Sequence, residues 1–200
     1  QQAIANRLSQ SFQHHHQIAA GLLMHAERRH QDIERDQGNL ERARALSEGL
    51  PDQPRLAQVL YWLGRVQYVL GNPHAAIAYA EQGLDIAERL GDEALAAPPM
   101  NLIGRASYQQ GDFRKTAQML RRSAEQMRQL GNKSDEATTL AAAGLACAMI
   151  GEAEAAHALG DEGVRLGEHI QNPFTRAAAH FLRGAIRSTL GEWDGAIQDL

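Results

Sequence analysis

Four pairs of glycines fall on one ruler: Gly64 and Gly71, Gly104 and Gly111, Gly144 and Gly151, Gly184 and Gly191, each pair 40 residues after the one before. A period of this length marks stacked repeats, in which each unit is a supersecondary element that buries its apolar face against its neighbours. Leu50, Leu90, Leu130 and Ile170 keep the same beat, and Asp52, Asp92, Asn132 and Asn172 follow each of them by two residues. The repeat is thus a structural unit, and the core is expected between units rather than around one centre.

Residues 57–96 show what one unit is. Val59, Leu63, Val66 and Leu70 recur at spacings of three and four, which lines one face of an α-helix. Gly71-Asn72-Pro73 stops that helix and starts the next: Gly suits a left-handed stop, Asn an N-cap, and Pro the first helical position. The second helix runs through Ile77, Ala80, Leu84 and Ala87 to Leu90, where Gly91-Asp92 repeats the stop and cap. Each unit therefore reads as helix A, tight turn, helix B. Ala76, Ala156 and Ala196, with Thr116 beside Ala117, put small residues where B must approach A.

Counting along the period divides the chain into residues 17–56, 57–96, 97–136, 137–176 and a truncated 177–200, with 1–16 holding the end of a preceding helix and the start of the first repeat helix. Unit 17–56 is degenerate: Met24 replaces the first glycine, Gln31-Asp32-Ile33 takes the turn, and Gly38 falls inside helix B at a cost of about 1 kcal/mol against Ala. The chain opens on Gln1-Gln2 and stops at Leu200 within a helix B, so a segment of a larger protein is expected.

The pattern Leu60-x-x-Leu63-Gly64, followed by Gly71 and Ala76, resembles the tetratricopeptide repeat, whose signature runs W-x-x-L-G-x-x-Y and then A. Leu60, Met100 and Leu140 stand at the Trp position, Gln67 and Ser107 replace the Tyr, the late Pro is missing, and the period exceeds the usual length of roughly 34. Lengthened repeats of this kind are similar to those of spindle-orienting adaptors and of helical-repeat regions in bacterial signalling ATPases, nucleotide cyclases and transcription activators. The resemblance implies an all-α, right-handed superhelix of antiparallel helix pairs, a tetratricopeptide-like α-solenoid. It also implies a protein-interaction scaffold that holds a peptide or partner segment in its concave groove. The alternative it raises is a regulatory, sensor or self-association module of a larger signalling protein, in which a homo-oligomer is a partner.

A net charge of −4 gives no general attraction to nucleic acid or to an anionic membrane. No apolar run approaches the roughly 20 residues of a membrane span, and no signal peptide is visible, which makes the cytoplasm the expected compartment. The one cysteine, Cys147, excludes an internal disulfide and reads as a buried small hydrophobe. His14-His15-His16, His25 and His30 contain no i, i+4 pair that would turn two rings to one ion, so no metal is expected. The repeated glycine spacing lacks the Gly-Lys-Ser/Thr ending of a phosphate loop, and no nucleophile pairs with a base. Neither cofactor nor catalytic residue is expected, and the chain is not read as an enzyme.

The informative surface is the inward face of the A helices. His25, Arg65 and Arg105 recur in register there, as do Arg28, Tyr68 and Tyr108 one turn later, with Tyr61 and Asn101 in a further row. The same rows continue as Leu145 and Ala185, then Ala148 and Ser188, so the groove is expected to be basic and phenolic at its N-terminal end and featureless at the other. An acidic or phosphorylated protein segment suits the basic end. Trp62, at the groove's edge, is expected to pack between units. The carboxylate clamp of some tetratricopeptide domains needs a Lys and Asn set, and Tyr61, Arg65 and Leu102 stand at positions of that set instead.

Overall fold

The structure is a computed structural model that describes residues 38, 39, 41, 42, 44, 45, 53–170 and 172–199. The chain divides into two units, Gln1–Arg42 and Ala43–Leu200. Residues 38, 39, 41 and 42 of the first are helical. All that follows concerns the second unit.

From Gln53 to Asp199 eight helices follow one another with turns of a few residues: α1 (Gln53–Val69), α2 (Pro73–Leu90), α3 (Glu93–Gln109), α4 (Phe113–Gln129), α5 (Lys133–Met149), α6 (Ala153–Glu168), α7 (Pro173–Thr189) and α8 (Trp193–Asp199). No strand occurs among the described residues. Each helix packs on the next, and α1 on α3 and α5 on α7 also meet directly. Odd-numbered helices are the A helices, even-numbered the B helices.

The turns carry the expected chemistry. At Gly111, φ is +77°, a left-handed conformation that side chains rarely adopt; it lets Asp112 N donate to Ser107 O (3.0 Å) and Gly111 N to Tyr108 O (3.0 Å), closing α3. Asp112 then caps α4 by accepting from Lys115 N (3.0 Å), and Asp92 and Asn132 cap α3 and α5 in the same manner. Asn72 departs from the expectation. Its side chain makes no cap bond and its amide donates to Gln67 Oε1 (3.1 Å), whereas Asn172, which also precedes a proline, caps α7 by accepting from Phe174 N (3.0 Å) and Thr175 N (3.4 Å).

Packing within a pair rests on backbone approach. A Cβ on Gly64 would lie 3.0 Å from Ala76 O, and one on Gly144 2.9 Å from Ala156 O, so helix A meets helix B where neither has a side chain to interpose. A second row, on the B helices, does the same in reverse: a Cβ on Gly83 would lie 3.1 Å from Ala57 O and one on Gly163 2.7 Å from Ala137 O. Between them in register, Ser123 is fully buried and its hydroxyl donates to Ala97 O at 3.0 Å. The same carbonyl position is thus met by hydrogen in two units and by a hydrogen bond in the third. Gly104 differs, since its neighbour is the Leu120 side chain, which a Cβ at that position would meet at 2.6 Å.

Cys147 is fully buried on α5 among Ala117, Ala156 and Ile186. Burial pushes its thiol above the ordinary range, against the opposing pull of Arg121, whose guanidinium donates to Sγ at 2.9 Å. Cys147 is therefore expected to resist alkylation in the native protein and to react fully in denaturant; fast native alkylation would contradict its placement.

Gly163→Ala supplies a sharper test of the packing. In an open helix the change gains about 1 kcal/mol. Here the added methyl meets a backbone carbonyl that cannot swing away, and urea unfolding is expected to show a loss of about 1 to 3 kcal/mol. A gain in stability would show that the helices stand further apart than described.

Candidate partner-binding groove

The inward rows of the A helices converge on a cavity of about 250 Å³. Tyr61, Arg65 and Tyr68 reach it from α1, Asn101 and Arg105 from α3. Five of the eight residues singled out in the sequence are brought together there. Tyr108 lines a neighbouring chamber instead, and His25 and Arg28 lie outside the described residues, as do His14, His15, His16 and His30.

The cavity opens where α3 and α5 stand further apart than α1 and α3 or α5 and α7. One bond crosses the gap: Asn101 Nδ2 donates to Thr139 Oγ1 at 2.8 Å. The amide's other end accepts from Arg105 Nε at 2.7 Å, and Thr139 Oγ1 passes its own proton toward Met127 Sδ at 3.5 Å. This relay orients the half-buried Arg105 and leaves its two terminal nitrogens without a hydrogen bond to any other described residue. Arg65 is more exposed, steadied by a long contact from its guanidinium to the Tyr61 hydroxyl (3.4 Å). Tyr61 and Tyr68 are half-buried, their rings packed on the core that contains Met100, Leu102 and Ile103.

Among the described residues, neither Arg65 nor Arg105 has a carboxylate partner. Five cations of the B helices differ. Lys115 pairs with Glu81, Arg121 with Glu152, Arg122 with Glu88, Arg128 with Glu136 and Arg165 with Glu162. In the last two pairs the hydrogen-bonded carboxylate raises the arginine's affinity for its proton.

Residues that the inward rows did not single out complete the cavity: Pro98, Met127, Asp135 and Thr138, together with Thr139. Thr138 and Pro98 are 40 residues apart and in register with Gln58, so a row one turn before Tyr61 and Asn101 carried the signal. Asp135 sits at the start of α5, where its Oδ2 accepts from Asn132 Nδ2 at 2.8 Å. Its charge makes the cavity mixed, with two guanidinium groups and one carboxylate among its lining. Pro98 and Pro99 lie inside α3, so the carbonyls of Ala94 and Leu95 lack their usual intrahelical donors. A second recess, of about 470 Å³, runs between these prolines and Trp62. Trp62 is not packed between units: it is 52% exposed, with its ring 5.2 Å from that of Tyr61.

The far end of the groove also differs from its expectation. Ala148 is buried and does not line it, whereas Leu145 joins Ala142, Phe181 and Leu182 in an apolar chamber of about 280 Å³. That end is hydrophobic, not featureless.

Neither a family model nor a curated protein sequence matches the chain. Among solved structures it is similar to BtubC (BKLC) from P. vanneervenii, with a TM-score of 0.73 and 15% identity over 84% of this chain and 70% of that one. It is also similar to the signal transduction ATPase with numerous domains (STAND) from Pyrococcus horikoshii that carries a tetratricopeptide repeat sensor, with a TM-score of 0.72 and 16% identity over 84% of this chain. The chain has the tetratricopeptide-like repeat fold. A Rap protein complexed with competence and sporulation factor aligns to the tetratricopeptide-like chain with a TM-score of 0.69 and 19% identity over 86% of its length. The chain spans 48% of that Rap protein and 26% of the STAND protein. In this solenoid no described helix is long and apolar enough to cross a membrane, and no described group of three or more His, Cys, Asp or Glu side chains is placed to hold a metal.

The Asn101 bridge yields a test. Asn101→Ala and Thr139→Val should each lower stability by about 1 kcal/mol, and a double-mutant cycle should return most of that as coupling. Additive losses would mean that the two side chains do not share a bond.

Proposed function

We propose that this chain is a protein-interaction scaffold that holds an acidic or phosphorylated segment of a partner protein in the groove formed by α1, α3 and α5. The observation that carries this reading is the pair of arginines, Arg65 and Arg105, set into one cavity without a described carboxylate partner, while Lys115, Arg121, Arg122, Arg128 and Arg165 on the B helices are paired. An anion there replaces water on guanidinium groups already held in place, and such charge-assisted bonds are stronger than neutral ones. Tyr61, Tyr68 and Asn101 supply further polar contacts along the same wall, and Tyr108 extends it. On this reading His25 and Arg28 belong to the binding set as well, the repeats run as 17–56, 57–96, 97–136, 137–176 and 177–200, and the protein works in the cytoplasm without catalysing a reaction.

A second reading is supported by the likeness to the STAND protein with its tetratricopeptide repeat sensor, of which this chain matches only a part. In it the chain is a sensor or regulatory module, and the segment in the groove belongs to the same larger protein or to a second copy. The likeness to a Rap protein complexed with a factor supports a free peptide as ligand instead. Both readings place the contact at the same arginines.

A fluorescent octapeptide of Glu and Asp, and a phosphoserine counterpart, test the site by anisotropy. Arg65→Ala with Arg105→Ala should weaken binding by roughly tenfold or more and flatten its salt dependence, while Ser188→Ala leaves both unchanged. Equal affinity for the double variant and the parent would move the contact elsewhere on the solenoid.

A further inference from the structure

The basic cavity does not end the groove. Arg105 and Tyr68 form one of its walls, and the same two side chains wall the apolar chamber beyond it. Leu145 on α5 and Phe181 and Leu182 on α7 close that chamber, with Leu120 at its base. Phe181 is 61% exposed and makes no ring contact with another described aromatic side chain. A large apolar side chain held out to water in this way, beside a half-buried cation, is placed for a ligand that carries both kinds of group.

We infer that the groove reads a two-part signal in its partner: an acidic side chain on Arg65 and Arg105, and a large apolar side chain a few residues away in the chamber of Leu145, Phe181 and Leu182. This rests on the reading of the groove as a partner-binding site and adds the specificity. The occupant is an extended protein segment. Its acid is called for by the two arginines, and its apolar residue by the chamber that shares their wall. Because the two chambers adjoin, the two side chains are separated by a few extended residues at about 3.3 Å each. The chamber's volume of about 280 Å³ admits one such group; a cavity of about 150 Å³ already takes a benzene ring. Charge alone would accept any acidic tail. The apolar chamber makes the groove discriminate among them.

Affinity selection of a randomised octapeptide library on the full 200-residue chain tests the inference. The selected peptides should contain Asp or Glu with Leu, Ile, Phe, Met or Trp within a few positions. Selection on the Arg65→Ala, Arg105→Ala variant should lose the acidic residue, and selection on Phe181→Ser should keep it while losing the apolar one. Phe181 is largely exposed, so its replacement leaves the fold intact; Leu182→Ser gives an independent second variant. For a selected peptide, replacing its apolar residue by Ala should weaken binding to the parent roughly tenfold and leave binding to the Phe181→Ser variant almost unchanged. Acidic enrichment without apolar enrichment overturns this inference and leaves the groove reading in place. No enrichment of either kind overturns both.

Discussion

Everything in this molecule depends on how closely helix A can approach helix B. At Gly64 and Gly144 on the A side, and at Gly83 and Gly163 on the B side, the backbone of one helix comes to the place where the other would carry a Cβ. Such contacts leave little freedom for a helix to rotate about its axis, because any larger group on that face would strike a carbonyl. The rotation of each A helix is thereby set, and with it which residues face inward. Tyr61, Arg65, Asn101 and Arg105 lie in the groove because Gly64 and Gly104 lie against a B helix or its side chains.

The groove is not a uniform channel, and the reason lies in the A-helix spacing. α1 with α3, and α5 with α7, pack directly, while α3 and α5 are bridged across a wider gap by Asn101 and Thr139. The gap makes room for the basic cavity, and the bridge makes Arg105 rigid. A guanidinium held by one nitrogen through Asn101 has its remaining donors pre-aimed, so a ligand loses less side-chain freedom on binding. The prolines of α3 open that helix's backbone on the same side, next to Trp62. Three adjoining recesses follow: one beside Trp62, one basic and one apolar.

Much of this was legible in the sequence because the strongest constraints repeat. Gly71, Gly91, Gly111, Gly131, Gly151 and Gly191 announce the turns, and each has a positive φ. Asp92, Asp112, Asn132 and Asn172 announce the caps. The site was partly legible, since Arg65 and Arg105, one period apart, had to share a face. What escaped was where a row changes residue type or burial from one unit to the next. Asn72 makes no cap bond and turns its amide to Gln67 instead. Trp62 is in register with the buried Leu102 yet stands exposed beside Tyr61, and Ala148 is buried where the row of Tyr68 and Tyr108 would have placed it in the groove. Asp135, Thr138 and Thr139 reach the cavity from α5, because the groove's floor crosses from one A helix to the next. Phe181 stands in the row of Tyr61 and Asn101, 80 residues after Asn101, so the period did carry a trace of the apolar chamber, hidden by the change from polar to apolar residues along that row.

The central claim is that Arg65 and Arg105 are held ready, without a described carboxylate of their own, for an acidic group from outside. Nuclear magnetic resonance of the arginine Nε–Hε groups tests it most directly. In the free protein the Arg105 proton should exchange slowly with water, because it is bonded to Asn101, and the Arg65 proton quickly. On titration with an acidic peptide both resonances should shift together along one binding curve, while those of Arg122 and Arg165, already paired with Glu88 and Glu162, stay in place. Shifts confined to the B-helix arginines, with Arg65 and Arg105 silent, would contradict the account.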